Sequence, residues 1–377
     1  MKKSSTYHRI LDTTPGQGWV SQQFHFDVFL VFALLLLSAL GLVIFHSASG
    51  ENLASLHKQI LRLGLAFAVM LVIAQLPPSV FRRSSPLLYI VGVILLALVL
   101  LVGDTGKGAQ RWLVIAGIRF QPSEMMKIAM PMMVAWYLAA HPLPPRLKQI
   151  ASTLVLLAIP TILIAKEPDL GTAILVAASG VIILFMAGVS WYLILGSIVI
   201  VAGCAPILWH FMREYQRNRV RTFLNPEADP LGTGYHIIQS KIAIGSGGIN
   251  GKGWLQGTQT QLDFLPESST DFIFSVYAEE FGLIGTLSLL FLYLAIIGRG
   301  LAIALQAQDS YSRLLAAGIT LTFFVYVFVN IGMVTGILPV VGVPLPLISY
   351  GGTSMITIML GFGILMSIQT HRKFNPS

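Results

Sequence analysis

About ten apolar runs, each near the length that a membrane-spanning helix requires, set the strongest limit on how this chain can fold. A helix needs roughly 20 mostly apolar residues to cross the hydrocarbon core of a bilayer. Of the 377 residues, 55% are hydrophobic and 11% are charged. The sequence therefore predicts an all-α polytopic membrane protein with about ten transmembrane helices. The runs lie at about 27–45, 60–76, 86–103, 123–140, 149–165, 171–187, 191–209, 272–298, 314–337 and 350–369.

The positions of these runs divide the chain into three predicted parts. Residues 1–26 form a cytoplasmic N-terminal tail, 27–369 a single transmembrane domain, and 370–377 a cytoplasmic C-terminal tail. The longest polar segment, about 210–271, is predicted to be a large extracytoplasmic loop between helices 7 and 8. No small-residue cleavage site precedes the first run, which argues against a removed signal peptide. The single cysteine, Cys204, lies in an apolar run and is interpreted as a packing residue.

The distribution of charge predicts how the chain is oriented in the membrane. With ten spans and the N-terminus inside, the inner segments hold eleven Lys and Arg against three Asp, which accounts for the formal net charge of +8. Basic residues in short inner loops follow the positive-inside rule. Both termini and the 141–148 loop are therefore predicted to be cytoplasmic. Because the basic residues occur in scattered pairs and not in a stripe, nucleic-acid binding is a poor explanation for them.

The first polar group on the predicted outer side surrounds the start of the fourth run. Pro122 begins the predicted helix, Glu124 lies in its first turn, and Lys127 follows three residues later on the same face. One interpretation is a salt bridge at the membrane surface, with Arg111 and Trp112 as interfacial anchors. The other is a cationic site for an anionic lipid headgroup, because Arg and Lys bind phosphoryl oxygens well. The whole group comprises Lys107, Arg111, Trp112, Arg119, Glu124 and Lys127.

Two further polar groups have a plain structural interpretation beside a functional one. Lys166 to Gly171 form a tight outer turn in which Asp169 is predicted to cap the next helix. A run of arginines follows the seventh apolar segment, and such runs are usually solvated faces. An outer location also allows them to attract a pyrophosphate or anionic lipid. The arginines are Arg213, Arg217, Arg219 and Arg221.

The long polar segment contains several glycines, at 245, 247, 248, 251 and 253. Glycines let a backbone approach a ligand closely and offer its N–H groups to an anion, although a flexible loop is the simpler explanation. The segment is not a P-loop, because Lys252 is followed by Gly253 and Ser246 replaces the required glycine.

Asp271 is the strongest candidate for a reactive group. Ser269 or Thr270 is predicted to cap helix 8, which makes Asp271 a first-turn acid. Such an acid commonly does no more than interact with the helix dipole. The same placement presents a carboxylate that can bind a proton or a divalent cation at the membrane surface, and local sequence does not decide between the two. No Ser-His-Asp set, zinc spacing or cofactor fingerprint competes with it.

Several motifs, in order along the chain, resemble those of one known family. They are Lys107-Gly-Ala-Gln-Arg-Trp112, Phe120-Gln-Pro-Ser-Glu124, Pro168-Asp-Leu-Gly171, Gly234 to Gly248, Gly251-Lys-Gly-Trp254, Leu265 to Phe274 and Asn330 to Gly352. Together they identify the chain, from about residue 25 to 373, as similar to the SEDS family (shape, elongation, division and sporulation). The segments Gly234 to Lys241 and Gly342 to Pro346 resemble the elongation branch more closely than the division branch.

The resemblance implies a peptidoglycan glycosyltransferase that polymerises lipid II on the outer face of the bacterial cytoplasmic (inner) membrane, supporting elongation and rod shape. It implies a ten-helix fold and matches the family's catalytic aspartate to Asp271. That residue is expected to remove the proton from the acceptor 4-hydroxyl, which displaces undecaprenyl pyrophosphate with inversion. A divalent cation, Mg or Mn, is expected at Asp271, and no organic cofactor.

The same resemblance suggests roles for the remaining polar residues. Arg111, Lys127 and Lys241 are expected to stabilise the pyrophosphate, with Glu124 holding Lys127 in place. Further substrate contacts are expected from Lys252, Glu267, Ser349 and Tyr350. Structural support for the site is expected from Asp169, Gly248 and Trp254.

Partners also follow from the resemblance. A polymerase without a transpeptidase motif makes uncrosslinked glycan, so a class B penicillin-binding protein transpeptidase is expected, with other membrane proteins of the elongation complex and membrane lipids. Small residues favour close helix contacts, so Gly282, Gly285 and Gly318 are expected to face that partner. The alternatives are a lipid II flippase and a non-catalytic scaffold of the elongation machinery. The chain shows no clear internal repeat and its polar residues concentrate on one face, which favours the enzyme.

Overall fold

The computed structural model describes residues 26–371 except 107–108, 116–117, 194, 197–198, 200–202, 204–208, 211, 213, 229–232, 263 and 266. The predictions for Lys107, Cys204, Arg213 and nearly all of both tails therefore lie outside the described residues. The same holds for most of the seventh predicted span, 191–209.

Helices make up most of the described chain. They are α1 (Val28–Ala48), α2 (Leu53–Ala74), α3 (Pro78–Val102), α4 (Pro122–Ala139), α5 (Leu147–Lys166), α6 (Leu170–Met186), α7 (Glu214–Leu224), α8 (Thr233–Ser246), α9 (Thr258–Gln261), α10 (Ile273–Leu305), α11 (Ser310–Val334) and α12 (Thr353–Thr370). A small antiparallel sheet, in the order β1-β2-β3, connects α3 to α4. Its strands are β1 (Asp104–Gly106), β2 (Ala109–Ile115) and β3 (Ile118–Phe120). The sequence did not predict this sheet, because its strands are short and lack a clear period-two pattern.

The predicted membrane architecture is confirmed in its main feature. Within the described residues, 7 helices are long and apolar enough to cross a membrane, namely α1, α2, α3, α5, α10, α11 and α12. Helix α6, of 17 residues, is a shorter apolar helix. Helix α4 has 18 residues and carries two charged side chains, Glu124 and Lys127. Each predicted span other than 191–209 thus corresponds to a described helix.

Several predicted boundaries were wrong because polar residues continue the helices beyond their apolar runs. Helix α2 begins at Leu53, where the Asn52 side chain accepts a hydrogen bond from the Ser55 N–H at 3.0 Å. Helix α3 begins at Pro78, because proline suits the first helical position. Helix α10 extends seven residues beyond its predicted end, to Leu305.

Helix α11 lies at the centre of the bundle and contacts α4, α6 and α10. Gly318 of this helix is packed so closely that a Cβ atom there would lie 2.7 Å from the Ile183 side chain of α6. Gly282 faces the backbone of Gly251 within the same chain, and Gly285 packs against Phe281 of its own helix. Gly282 and Gly318 are buried. The expectation of a partner-facing surface was therefore wrong for Gly282 and Gly318, which admit neighbouring parts of the chain itself, and for the half-buried Gly285 it stays a prediction.

The two helix ends that were predicted to lie inside meet each other. Arg299 near the end of α10 donates from Nε to Asp27 Oδ2 at 2.9 Å, and from Nη2 to the same atom at 2.5 Å. The Asp27 carboxylate also caps α1 by accepting from the Leu30 N–H at 3.0 Å. This ion pair places the start of α1 and the end of α10 on one face of the bundle.

Candidate active site

On the opposite face of the bundle, the loop between α11 and α12 (Thr335 to Gly352) contacts two of the predicted site residues. Two of its glycines adopt a left-handed backbone, Gly336 with φ 78° and Gly342 with φ 77°. Both also lie against predicted site residues. A Cβ atom at Gly336 would collide with the Lys241 side chain, and one at Gly342 would lie 3.4 Å from Asp271 Oδ2. The left-handed backbone favours glycine at both positions, and at Gly336 a Cβ atom would also displace the end of the Lys241 side chain.

Asp271 lies in the turn Glu267 to Phe272, which precedes α10. Helix α10 begins at Ile273 with Phe272 as its N-cap, so Asp271 is not a first-turn acid as predicted. The turn is closed by the Thr270 N–H donating to the Glu267 carbonyl at 3.0 Å. Ser269 and Thr270 consequently belong to the turn and do not cap the helix. The half-buried Asp271 carboxylate is thus presented by a fixed turn at the end of a long helix.

The Asn330 side chain of α11 holds this turn in place, a role that was not predicted from the sequence. Its side-chain amide donates to the Asp271 carbonyl at 2.9 Å and to the Val343 carbonyl at 2.7 Å, and the residue is fully buried. One side chain therefore connects the Asp271 turn to the α11–α12 loop. An asparagine within an apolar span is costly unless it has such a purpose, which is the signal that could have revealed it.

Ser349 supports the same turn instead of standing free for a substrate. Its hydroxyl donates to the Thr270 carbonyl at 2.5 Å and accepts from the Leu345 N–H at 2.8 Å. The Tyr350 N–H donates to the Ser269 carbonyl at 2.9 Å. These bonds hold the two segments side by side.

Lys241 reaches the site from α8. The preceding residue, Ser240, anchors that helix: its hydroxyl lies 2.7 Å from the Ser275 hydroxyl of α10 and donates to the Val334 carbonyl of α11 at 2.6 Å. Lys241 itself is exposed and lies against Gly336. The structure thus brings an accessible ammonium group to the same loop that contacts Asp271.

Arg111 and Asp169 form the next part of this charged region. Arg111 donates from Nη2 to the Pro168 carbonyl at 2.5 Å, and its Nε lies 3.9 Å from Asp169 Oδ2. Asp169 accepts from the Thr172 N–H at 3.3 Å, which confirms the predicted helix cap, and from Gln121 Nε2 at 3.2 Å. The adjoining Gly171 contacts the α11–α12 loop at Val341, where a Cβ atom would lie 2.8 Å from the Val341 carbonyl oxygen.

Glu167 is an unpredicted member of the charged region. It is fully buried, and neither carboxyl oxygen has a hydrogen-bond partner in the described part of the chain. Burial, together with the nearby Asp169 carboxylate, raises the pKa of Glu167 to about 8, although Arg111 opposes the shift. A neutral carboxyl group near neutral pH is the form that such surroundings favour.

Glu124 and Lys127 form the predicted pair, with Lys127 Nζ 2.7 Å from Glu124 Oε1. Their side chains are only 9% and 7% exposed, so the pair does not reach out to the membrane surface. Lys127 Nζ lies 5.2 Å from the centre of the Tyr326 ring, and the adjoining cavity of about 30 Å³ has room for little more than water. In this conformation the pair is an ion pair within α4 and does not form an open cationic site.

The glycine-containing loop after α8 packs against a break in α10. Gly282, with φ 64° and ψ −161°, interrupts the helix. The freed backbone bonds to the loop, with Leu283 N–H donating to the Gly248 carbonyl at 2.9 Å and Lys252 N–H to the Glu279 carbonyl at 3.0 Å. The loop is therefore ordered by pairing with the chain itself.

Glu279 is the buried anchor of this loop, and sequence analysis also missed it. Its carboxylate has no exposure and accepts from Lys252 Nζ at 2.6 Å, from Thr258 Oγ1 at 3.1 Å and from the Gln259 N–H at 3.2 Å. Lys252 Nζ is thus paired with Glu279. Trp254 fixes the loop to α1 by donating from Nε1 to the Val43 carbonyl at 3.2 Å.

The remaining predicted residues have local partners. The Glu267 carboxylate accepts from Thr270 Oγ1 at 2.8 Å. Arg217 and Arg221 of α7 pair with Glu214 at 3.5 and 2.9 Å, in agreement with a solvated face. The structure therefore gathers Arg111, Asp169, Lys241 and Asp271 around one loop.

Comparison with known proteins points in a single direction. The cell cycle protein family of FtsW, RodA and SpoVE matches residues 27–374. The peptidoglycan glycosyltransferase MrdB of Escherichia coli (strain K12) is 55% identical over 95% of this chain and 97% of its own length. One similar solved chain comes from work on the structural coordination of polymerization and crosslinking by a peptidoglycan synthase complex. It is 31% identical, has a TM-score of 0.81, and the match covers 93% of this chain and 99% of that one. The rod shape determining protein RodA of Thermus thermophilus is 28% identical with a TM-score of 0.70, over 92% of this chain and 98% of its own.

Proposed function

The chain belongs to the SEDS family of FtsW, RodA and SpoVE and is a multi-pass peptidoglycan glycosyltransferase of the inner membrane, and we propose that Asp271 is the residue at which it joins lipid II units into glycan strands. The observation that carries this proposal is the setting of Asp271. Its carboxylate is half-buried on a turn fixed by Asn330 and Ser349, and the turn adjoins the loop that also contacts Lys241. Catalysis by proximity and orientation requires a reactive group that the surrounding structure holds in one position.

In the proposed reaction the acceptor sugar's 4-hydroxyl gives its proton to an Asp271 carboxylate oxygen as the hydroxyl oxygen attacks the donor's anomeric carbon. The new glycosidic bond forms while the bond from that carbon to the undecaprenyl-pyrophosphate oxygen breaks. The electron pair leaves with the pyrophosphate, and attack from the opposite face inverts the anomeric centre. General base catalysis of this kind contributes about 10²–10⁴-fold.

The leaving pyrophosphate requires positive charge, and two side chains are placed to supply it. Lys241 is exposed beside Gly336, and Arg111 is partly exposed beside Asp169. Charge that develops in a transition state is stabilised best by groups that are already in position. The buried Glu124–Lys127 pair remains a predicted substrate contact, and its burial means that α4 and α11 must separate before a substrate can touch it.

A divalent cation at Asp271 is part of the proposal. The described residues contain no group of three or more His, Cys, Asp or Glu able to hold a metal ion. Mg²⁺, however, is usually held by one or two carboxylates together with substrate phosphates and water, so Asp271 and a bound pyrophosphate suffice. Such a cation would offset the negative charge of the leaving group.

The finer topology and the partner are also proposals. We place both termini inside, residues 210–271 outside, and ten spans between the tails. A chain similar to this one belongs to a complex that coordinates polymerization with crosslinking. Because this chain carries no transpeptidase motif, we propose that a class B penicillin-binding protein crosslinks its product.

The activity is tested with purified protein and lipid II in detergent. Glycan strands should accumulate, and transbilayer movement of lipid II in vesicles without polymer would instead support a flippase.

The topology is tested by thiol labelling. Single cysteines at Ser4 and Thr258, in a Cys204→Ser background, should differ in intact spheroplasts, because only the second is outside. Equal labelling by an impermeant reagent would refute the proposed orientation.

A further inference from the structure

We propose that a hydroxyl-lined pocket beside the Asp271 turn binds uncharged saccharide, namely the GlcNAc–MurNAc units of the substrate. The inference rests on the proposed function and assigns one part of the substrate to one part of the outer face. The pocket lies where the α1–α2 connection, α9, the Asp271 turn and Tyr350 meet. Its volume of about 530 Å³ falls within the range of about 300–1,000 Å³ that is usual for small-ligand sites.

The chemistry of the lining matches a sugar. Among the described residues, hydroxyl side chains predominate, and a hydroxyl both donates and accepts hydrogen bonds, as the hydroxyl groups of a sugar do. Thr260 is nine-tenths buried, and its hydroxyl has no hydrogen-bond partner in the described chain. A rotation of the Thr260 side chain toward the pocket would let a sugar hydroxyl supply that partner. The hydroxyl residues are Ser47, Ser49, Ser55, Thr260, Ser268, Ser269 and Tyr350.

The charges that line the pocket disfavour the pyrophosphate as its occupant. The one charged lining residue in the described chain is an acid, Glu51. Ser47, which also lines the pocket, donates its hydroxyl to the buried carboxylate of Glu280. The Arg62 guanidinium is stacked over the Tyr350 ring at 4.6 Å and is not itself a lining residue. Because the charged group in the lining is an acid, the lining repels an anion and favours an uncharged ligand.

The walls of the pocket are held in place. Ser268 Oγ donates to the Ala48 carbonyl at 3.0 Å, which joins the Asp271 turn to the end of α1. The Phe45 and Tyr350 rings stack with centroids 5.2 Å apart and an angle of 9°. A preformed pocket binds with less loss of entropy than one that must close around its ligand.

The position of the pocket gives it a role in the reaction. Ser268 and Ser269 line it, and Asp271 follows in the same turn, whereas Lys241 contacts the α11–α12 loop at Gly336 and Arg111 pairs with Asp169. The turn therefore separates a charged region for pyrophosphate from a neutral region for saccharide. The saccharide belongs either to the incoming acceptor or to the strand already made, and the same hydroxyl chemistry recognises both.

The pocket is tested by filling it in the full-length enzyme. Ser55→Phe adds a ring inside the pocket, and Thr260→Val removes the unpartnered hydroxyl while keeping its shape. Ala54→Phe adds the same ring to an exposed neighbour outside the lining and is the matched control. Loss of one hydrogen bond corresponds to about fivefold in affinity. Both pocket variants should keep the wild-type melting temperature, and so should the control.

Two readouts distinguish the sources of the saccharide. A rise of about fivefold or more in the KM for lipid II when the first disaccharide bond is made identifies an acceptor subsite. Normal formation of that bond with shorter final strands identifies a track for the growing glycan. Uncharged chitotetraose should inhibit the wild type more than Ser55→Phe, while inorganic pyrophosphate should inhibit both equally.

The proposal is overturned if Ser55→Phe matches Ala54→Phe in KM, in strand length and in inhibition by chitotetraose. That result would leave the glycosyltransferase assignment untouched, because the wild-type protein would still polymerise lipid II. A wild-type protein that makes no polymer would instead refute the proposed function.

Discussion

The turn Glu267 to Phe272 has two very different sides. On one side, the α11–α12 loop contacts Lys241 and Asp271, and its neighbours Arg111 and Asp169 carry opposite charges close together. On the other side lies a pocket whose polar groups are chiefly hydroxyls. A lipid-linked saccharide has the same division between a charged pyrophosphate and a neutral sugar. Under the proposed function, the Asp271 carboxylate between these two regions would lie where the bond between those two parts is broken.

The largest expected effect concerns charge burial on the charged side. Glu124→Gln should lower the free energy of unfolding by about 3–5 kcal/mol, because Lys127 would be left as a buried charge without its partner. On the neutral side, Ser269→Ala should change it by less than about 0.5 kcal/mol. Thermal and denaturant unfolding in detergent measure both. Similar losses for the two variants would show that the two sides do not differ in how much charge they bury.

The next effect concerns the boundary between the two sides. Asp271→Asn keeps the size of the side chain and the backbone carbonyl that Asn330 holds, but it removes the proton acceptor. Polymerisation of lipid II should fall by about 10²-fold or more with an unchanged melting temperature. Glu227→Gln, at an exposed position outside the predicted site, is the control and should retain most of the activity. Near-normal activity of Asp271→Asn would end its assignment as the base.

Some of this arrangement could be predicted from local sequence, and some could not. The Glu124–Lys127 pair and the Asp169 cap follow from spacings of three residues, which a helix fixes by itself. Asn330 acts on the Asp271 carbonyl 59 residues away, and such a contact leaves no local pattern. Ser349 likewise uses a backbone carbonyl as its acceptor, and any residue could provide one.

The broken helix shows the same limit. The resemblance implied that Lys252 contacts substrate, yet it pairs with Glu279, 27 residues away. That pair exists only because Gly282 interrupts α10 and lets the glycine loop lie against it. A glycine within an apolar run indicates flexibility or close packing, but it does not reveal which segment approaches.

A smaller effect than the first two is expected where this loop is anchored. Glu279→Gln should lower the free energy of unfolding by about 1.5–3 kcal/mol, since it weakens charged hydrogen bonds from Lys252 and Thr258. Partial exposure of Lys252, at 27%, lets water compensate in part. The loss should be accompanied by faster proteolysis of the loop between α8 and α9. Unfolding and limited proteolysis measure it, with Lys252→Met as the matched variant. If Glu279→Gln is as stable as wild type, the carboxylate does not anchor the loop.

The smallest expected effect is a pH dependence that belongs to the charged side alone. Burial raises the pKa of Glu167 from its ordinary value of 4.5 to about 8. Between those values the folded chain keeps a proton that the unfolded chain has released, so this group's contribution to stability falls as pH rises from about 4.5 to about 8. Glu167→Gln is neutral at every pH and should remove that fall, leaving the variant more stable than wild type at pH 9. At pH 5 the two proteins should unfold at nearly the same temperature, and Glu227→Gln, at an exposed glutamate, should show no such divergence. Melting temperatures measured from pH 5 to pH 9 test this prediction. If the melting temperatures of wild type and Glu167→Gln change in parallel with pH, Glu167 is ionised in the folded protein. The charged side would then hold one more negative charge than described.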